Sequence, residues 1–175
     1  KNFCAATPQN NLRTKLRTNK PTKIAQALVA EDENMEVTLQ HYSHKVGVNF
    51  WHMEWCPKYR YRMMQKFENK NLVAAAIRKS AHEHRIKIHY LKVLPDHVHT
   101  LVTLPHGMTD SKAMQYLKGR SAYIIFRVKE KFRLRYPKGH FWSPGGFATT
   151  VGYNDLNSVI KYIENQEKHH NVIYT

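Results

Sequence analysis

The stretch Arg85-Ile86-Lys87-Ile88-His89-Tyr90-Leu91-Lys92-Val93-Leu94-Pro95-Asp96-His97-Val98-His99-Thr100-Leu101-Val102-Thr103-Leu104 decides the fold. Two β-prone runs flank the dipeptide Pro95-Asp96. Proline fixes φ and aspartate can bond nearby backbone, so the dipeptide marks a tight turn. The runs Arg85 to Leu94 and His97 to Leu104 are therefore expected as an antiparallel hairpin, broken at Pro105-His106-Gly107. Side chains alternate along a strand, so His97 and His99 leave the same face of it.

Working outward, Gly47 to Cys56 is aromatic and β-prone and reads as a first strand, with Pro57 to Arg62 as a basic turn after it. Asn71 to His84 carries Leu72, Ala75 and Ala76 at helical spacing. Asp110 to Phe132 reads as a second helix, capped by Thr109 or Asp110, with Met114, Leu117, Tyr123 and Ile124 as its apolar side. An aromatic loop, Pro137 to Pro144, precedes a short strand within Gly145 to Gly152. Asn154 or Asp155 would cap a last helix ending near His169. The order β-α-β-β-α-β-α predicts an α+β fold. It is a ferredoxin-like, RRM-like antiparallel sheet with helices on one face, plus a C-terminal helix that bears Tyr162.

Residues 1–34 differ from the rest. They are rich in Asn, Thr, Lys and Arg, with no acid before Glu31, and read as a flexible basic arm in which Ile24 to Ala30 could form a short helix. Residues 35–175 form the expected globular domain. The chain of 175 residues carries a formal net charge of +15. Such a balance favours a polyanionic partner through counterion release. Cys4 and Cys56 lie far apart and in no ligand spacing, which speaks against a disulfide framework and a zinc ribbon and suits a reducing interior. No run reaches the length of a membrane span and no signal-peptide core is present, so a cytoplasmic location without membrane contact is expected.

Two histidines on one strand face can share a metal ion, although two polar residues on the wet face of a half-covered sheet give the same pattern. On the last helix, Tyr162 and Gln166 are spaced i and i+4 and share a side. A phenol is a weak nucleophile at neutral pH, and a divalent metal stabilises the charge that develops on an attacked phosphate. The amide oxygen of Gln166 is a suitable hard third ligand, while Asp96 fits either a ligand's partner or a turn residue. Basic side chains expected to contact phosphates are Lys58, Arg60 and Arg62 after the first strand, and Lys118, Arg120 and Arg127 on the second helix. Tyr59, Tyr61, Tyr136, Phe141 and Trp142 are interleaved with basic residues and divide between base stacking and core packing.

Five short stretches occur in order: Trp55-Cys56-Pro57-Lys58-Tyr59-Arg60, Pro95-Asp96-His97-Val98-His99, Leu117-Lys118-Gly119, Phe141-Trp142-Ser143 and Tyr162-Ile163-Glu164-Asn165-Gln166. Together they resemble the small single-tyrosine transposases of the HUH superfamily, the TnpA type from compact insertion sequences. The resemblance runs from about Val46 to Asn171 and leaves out the basic arm. It implies that His97, His99 and Gln166 hold Mg2+ or Mn2+, and that Tyr162 attacks a phosphate of single-stranded DNA. The product would be a 5′-phosphotyrosine and a free 3′-hydroxyl, and rejoining would be the reverse attack. It implies hairpins near the ends of the DNA element as partners. It also implies a homodimer in which the tyrosine helix of one subunit completes the other's site.

Other readings stay open at this stage. A domesticated relative would act on repeat hairpins without transposing. A rolling-circle initiator shares the chemistry but usually brings further domains. A hydrolase using water would want more carboxylates than the sequence offers near the histidines. A non-catalytic single-stranded nucleic-acid-binding protein would use the same kind of sheet, but the aromatic signature of RNA-binding domains is not present.

Overall fold

A computed structural model describes residues 40–41, 46–47, 49–152, 155–169 and 173–175. All belong to one compact unit, Met35–Thr175. The basic arm and its possible helix at Ile24 to Ala30 lie outside the described residues, as does Asn154.

A two-residue ladder, β1 (Gln40–His41) with β2 (Val46–Gly47), precedes the main sheet. The sheet holds β3 (Phe50–Trp55), β4 (Lys87–Val93), β5 (Val98–Thr103) and β6 (Phe147–Val151). Its order is β4-β5-β3-β6 and every pairing is antiparallel. Helices α1 (Phe67–Glu83), α2 (Asp110–Val128) and α3 (Leu156–His169) complete the fold. The expected order of elements holds, and the Pro95-Asp96 turn is closed by a bond from Leu94 N–H to the His97 carbonyl. Thr109, rather than Asp110, caps α2 by accepting from the Lys112 amide. That helix stops at Val128, short of the expected Phe132, and a 3-10 turn Glu130–Leu134 follows.

Alternation divides the sheet into two faces. Trp51, Met53 and Trp55 of β3 join Val98 and Val102 of β5 in the larger core, beneath Val73, Ala76 and Ile77 of α1 and Leu117 and Ile125 of α2. Phe50 and Leu101 leave the opposite face. There they pack with Val151 of β6 and with Leu156 and Ile163 of α3. The first two helices share one face, as expected, and the tyrosine-bearing helix covers the other. β5 is consequently buried along its whole length. His97 and His99 are only 3% and 2% exposed, so the face that carries them is not the wet side of a half-covered sheet.

Gly146 illustrates how tightly the edge is fitted. A Cβ there would sit 3.0 Å from the Glu54 carbonyl oxygen and from Cε of Met114, so any larger residue would force β3 or Met114 to give way.

Candidate active site

β5 and β3 set the site by register. Glu54 lies opposite His99, and His52 lies opposite Leu101, so Glu54, His52 and His99 project together on the α3 face. The His97 and His99 rings lie 5.0 Å apart, inclined at 75°. One ligand atom each from Glu54, His97 and His99 falls within 4.8 Å of the others. Two imidazole nitrogens and a carboxylate oxygen at that spacing suit a divalent cation. The donor set therefore fits the metal that the sequence suggests, with Glu54 as an oxygen donor that the sequence reading did not include.

Each histidine is held from behind. His97 Nδ1 donates to Asp96 Oδ1 at 2.7 Å, which leaves its Nε2 with a lone pair for a ligand. Asp96 Oδ2 accepts from Arg60 Nε at 3.0 Å. Burial works against ionisation of Asp96, but the bonds from His97 and Arg60 outweigh it and hold the carboxyl below its ordinary value. His99 Nδ1 lies 3.1 Å from His52 Nε2, and the two rings stack 5.4 Å apart. Burial lowers the His52 pKa although Glu54 pulls the other way, so His52 is kept neutral and its Nε2 can accept from His99.

α3 brings Tyr162 to this face. Its ring lies edge-on to His52 and His99, with centroids 6.1 and 6.2 Å away. It remains 53% exposed, so a substrate can reach it. Gln166, one turn further along, is 5% exposed. The far end of α3 is fastened by Glu167, which pairs with Lys70 at 3.5 Å and Lys92 at 3.1 Å and accepts from the Tyr174 hydroxyl at 3.0 Å. α3 lies over the histidines of its own chain, whereas the resemblance implies a helix shared between subunits.

The six expected phosphate contacts separate into different roles. Arg60 is committed to Asp96. Arg120 forms a two-pronged pair with Glu83, at 2.5 and 2.9 Å. Lys118 donates to the carbonyls of Pro144 and Gly145 and pins the aromatic loop to α2. Arg127 bonds the Tyr123 hydroxyl from an exposed position. Lys58 lies 5.3 Å over the exposed Tyr59 ring, and Arg62 is exposed. Of the aromatics, Tyr136, Phe141 and Trp142 belong to the core, while Tyr59 and Tyr61 face solvent.

Sequence reasoning missed His52 and Glu54. The alternation in Phe50-Trp51-His52-Met53-Glu54-Trp55 puts both on one face, but pairing them with His99 needs the register between strands distant in sequence.

The family profile described as "Transposase IS200 like" matches residues 46–166. Over 116 residues the chain is 30% identical to the transposase for insertion sequence element IS200 of Salmonella typhimurium, covering 66% of this chain and 75% of that protein. It is 28% identical to the ISDra2 transposase TnpA of Deinococcus radiodurans, covering 66% of this chain and 82% of that one. Among solved structures, a candidate transposase from Deinococcus radiodurans superposes with a TM-score of 0.60 at 25% identity, covering 73% of this chain and 97% of that one. A REP-associated tyrosine transposase bound to a REP hairpin shares the fold, with a TM-score of 0.53 at 18% identity, covering 79% of this chain and 76% of that one.

Proposed function

The chain belongs to the IS200-like transposase family, and we propose on that premise that it cuts and rejoins single-stranded DNA through Tyr162. The observation that carries the proposal is the half-exposed Tyr162 ring beside His99, on the face where donor atoms of Glu54, His97 and His99 converge.

In the proposed reaction the Tyr162 oxygen attacks a backbone phosphorus. A bond forms between phosphorus and the tyrosine oxygen, and the bond to the 3′-oxygen breaks. The departing 3′-oxygen takes up a proton, and the phenol gives one up. The products are a 5′-phosphotyrosine and a free 3′-hydroxyl. Attack by a second 3′-hydroxyl reverses the step and joins a new strand, with the bond energy conserved in the adduct. His97 and His99 would hold Mg2+ or Mn2+, with Glu54 or Gln166 as the oxygen donor. When bound, the cation supplies positive charge against the charge developing on the phosphate oxygens. Asp96 and Arg60 hold His97 in the ligand tautomer, and His52 does the same for His99. α3 positions the nucleophile and leaves one side of it open.

The partner in this reading is single-stranded DNA with hairpins near the element ends, and the working form is a homodimer. The catalytic domain is residues 35–175, with residues 1–34 as a basic arm that adds grip on phosphates. Among the described residues no helix is long and apolar enough to cross a membrane.

The test uses single-stranded DNA from the flanks of the gene, with Mn2+ or Mg2+, resolved on a denaturing gel. Wild type should yield a protein–DNA adduct and Tyr162→Phe none. Cleavage without an adduct would mean that water is the nucleophile. Binding without cleavage by the wild type would leave a hairpin-binding relative.

A further inference from the structure

Directly after β3 the backbone does something costly. Tyr59 and Arg60 are consecutive residues with φ of +63° and +53°, a region that side chains other than glycine rarely enter. No core contact repays Tyr59 for this, because its ring is 64% exposed. Strained, non-glycine backbone that persists without a packing reason points towards a ligand. Arg60 reaches across the surface to Asp96, and so to His97, while the Tyr59 ring stands out in solvent.

Tyr59 is not isolated. The Tyr61 ring, 37% exposed, lies 5.4 Å from it and is braced from behind by the buried Tyr136 ring at 5.9 Å. The Arg135 guanidinium sits 5.8 Å over Tyr61. Beyond Tyr61 opens a groove of about 610 Å³ whose lining includes Arg62, Lys66 and Arg135 but no aspartate or glutamate. Two aromatic faces followed by a groove that carries three cationic side chains among neutral ones match unpaired bases followed by their phosphates. A duplex keeps its bases stacked internally and has none to offer.

We propose that Tyr59 and Tyr61 form a base-stacking track, continued by the Arg62–Lys66–Arg135 groove, that leads an unpaired DNA strand to the site at Tyr162. The track rests on the single-stranded DNA reading above, and it adds a binding site distinct from the metal and tyrosine groups. Two hydrogen bonds, Arg60 to Asp96 and Asp96 to His97, tie its first residue's neighbour to the site. A strand lying on the track is thereby placed beside the His97 end of the site.

The experiment measures binding of a fluorescein-labelled oligothymidylate to the full chain by anisotropy, against a duplex of the same length. Tyr59→Ala should weaken single-strand binding about five- to a hundredfold, the loss of one stacked base, while Tyr59→Phe binds as wild type. Tyr59→Gly should also weaken binding, yet leave the thermal midpoint unchanged or raised by a few degrees, because glycine relieves the backbone. Wild-type binding by both Tyr59→Ala and Tyr61→Ala would overturn the track, as would equal losses on the duplex. The outcome separates from that of the adduct assay. Tyr59-dependent binding in a chain that forms no adduct keeps the track and removes the tyrosine chemistry. An adduct-forming chain whose binding ignores Tyr59 and Tyr61 does the reverse.

Discussion

Asp96→Asn isolates the support of a metal ligand from the ligand itself. The carboxylate accepts two bonds, from His97 Nδ1 at 2.7 Å and from Arg60 Nε at 3.0 Å. An asparagine of the same shape has one oxygen to accept with, and its amide nitrogen must face the other donor. Either His97 loses its partner and turns, or Arg60 does and the side chain shifts. A hydrogen bond to a charged group is worth about 1.5–3 kcal/mol. At about 1.4 kcal/mol per decade, that corresponds to roughly a ten- to hundredfold loss of metal affinity, as found for partners of metal-bound histidines generally. The fold should scarcely notice. Arg60 and Asp96 form a surface pair, with side chains 60% and 29% exposed, worth at most about 1 kcal/mol. Calorimetric titration of the full chain with Mn2+, beside a thermal melt, measures both quantities. Arg60→Ala, which leaves the bond between Asp96 and His97 intact, should give a smaller shift than Asp96→Asn. An Asp96→Asn protein that binds Mn2+ within about twofold of wild type would refute the support role.

Three further outcomes are expected. Glu54→Gln should raise the Mn2+ titration midpoint more than Gln166→Ala does, since it removes a charge among the clustered donors; the opposite order would make Gln166 the third donor. Burial, aided by Lys87, pushes the His89 pKa from about 6.5 down to about 4. Between those values the unfolded chain binds the extra proton, so His89 should cost stability as the pH falls from about 6.5 to about 4 and nothing further below that. Partial exposure limits the loss to about 1–2 kcal/mol, and melts of His89→Gln against wild type at both ends of the range should show the slope flatten. Ile163→Ala should cost about 2–5 kcal/mol at a fully buried position. Hydrogen exchange should place that loss in α3, because Ile163 packs in the smaller cluster; uniform loss across the sheet would contradict this.

The fold was legible because its signals are local. Alternation around Pro95-Asp96 defines the hairpin, and the capping threonine and helical spacing define α2. The same locality explains why His97, His99, Tyr162 and Gln166 stand out, for each pair lies within one turn or one strand step. What depends on contacts distant in sequence was not legible. Glu54 joins His99 only through a register across 45 residues of chain, and Arg60, with its left-handed backbone, meets Asp96 from 36 residues away. The pairing of Arg120 was not legible for a related reason. Its partner Glu83 sits at the end of another helix, and nothing near Arg120 in sequence announces the pair.

Whether Tyr162 serves its own chain's histidines or a partner's is a question of connection rather than of contacts. α3 buries Leu156 and Ile163 against Phe50, Leu101 and Val151. An identical helix from a second copy would bury the same patch with the same bonds, so exchange is nearly neutral in contact energy. The short link from Val151 to Leu156 then tips the balance, because it holds the chain's own helix at high effective concentration. The Glu167 pairs with Lys70 and Lys92 form equally well in either arrangement, so they leave that preference unchanged. Mixing His97→Ala with Tyr162→Phe subunits decides it. Under cis placement every site in the mixture lacks either a ligand or the nucleophile, and no adduct forms. Under trans placement each mixed dimer gains one intact site, which restores about a quarter of the wild-type adduct when subunits pair at random. The geometry of the single chain predicts the inactive mixture, and recovery to that level would show that the helix crosses.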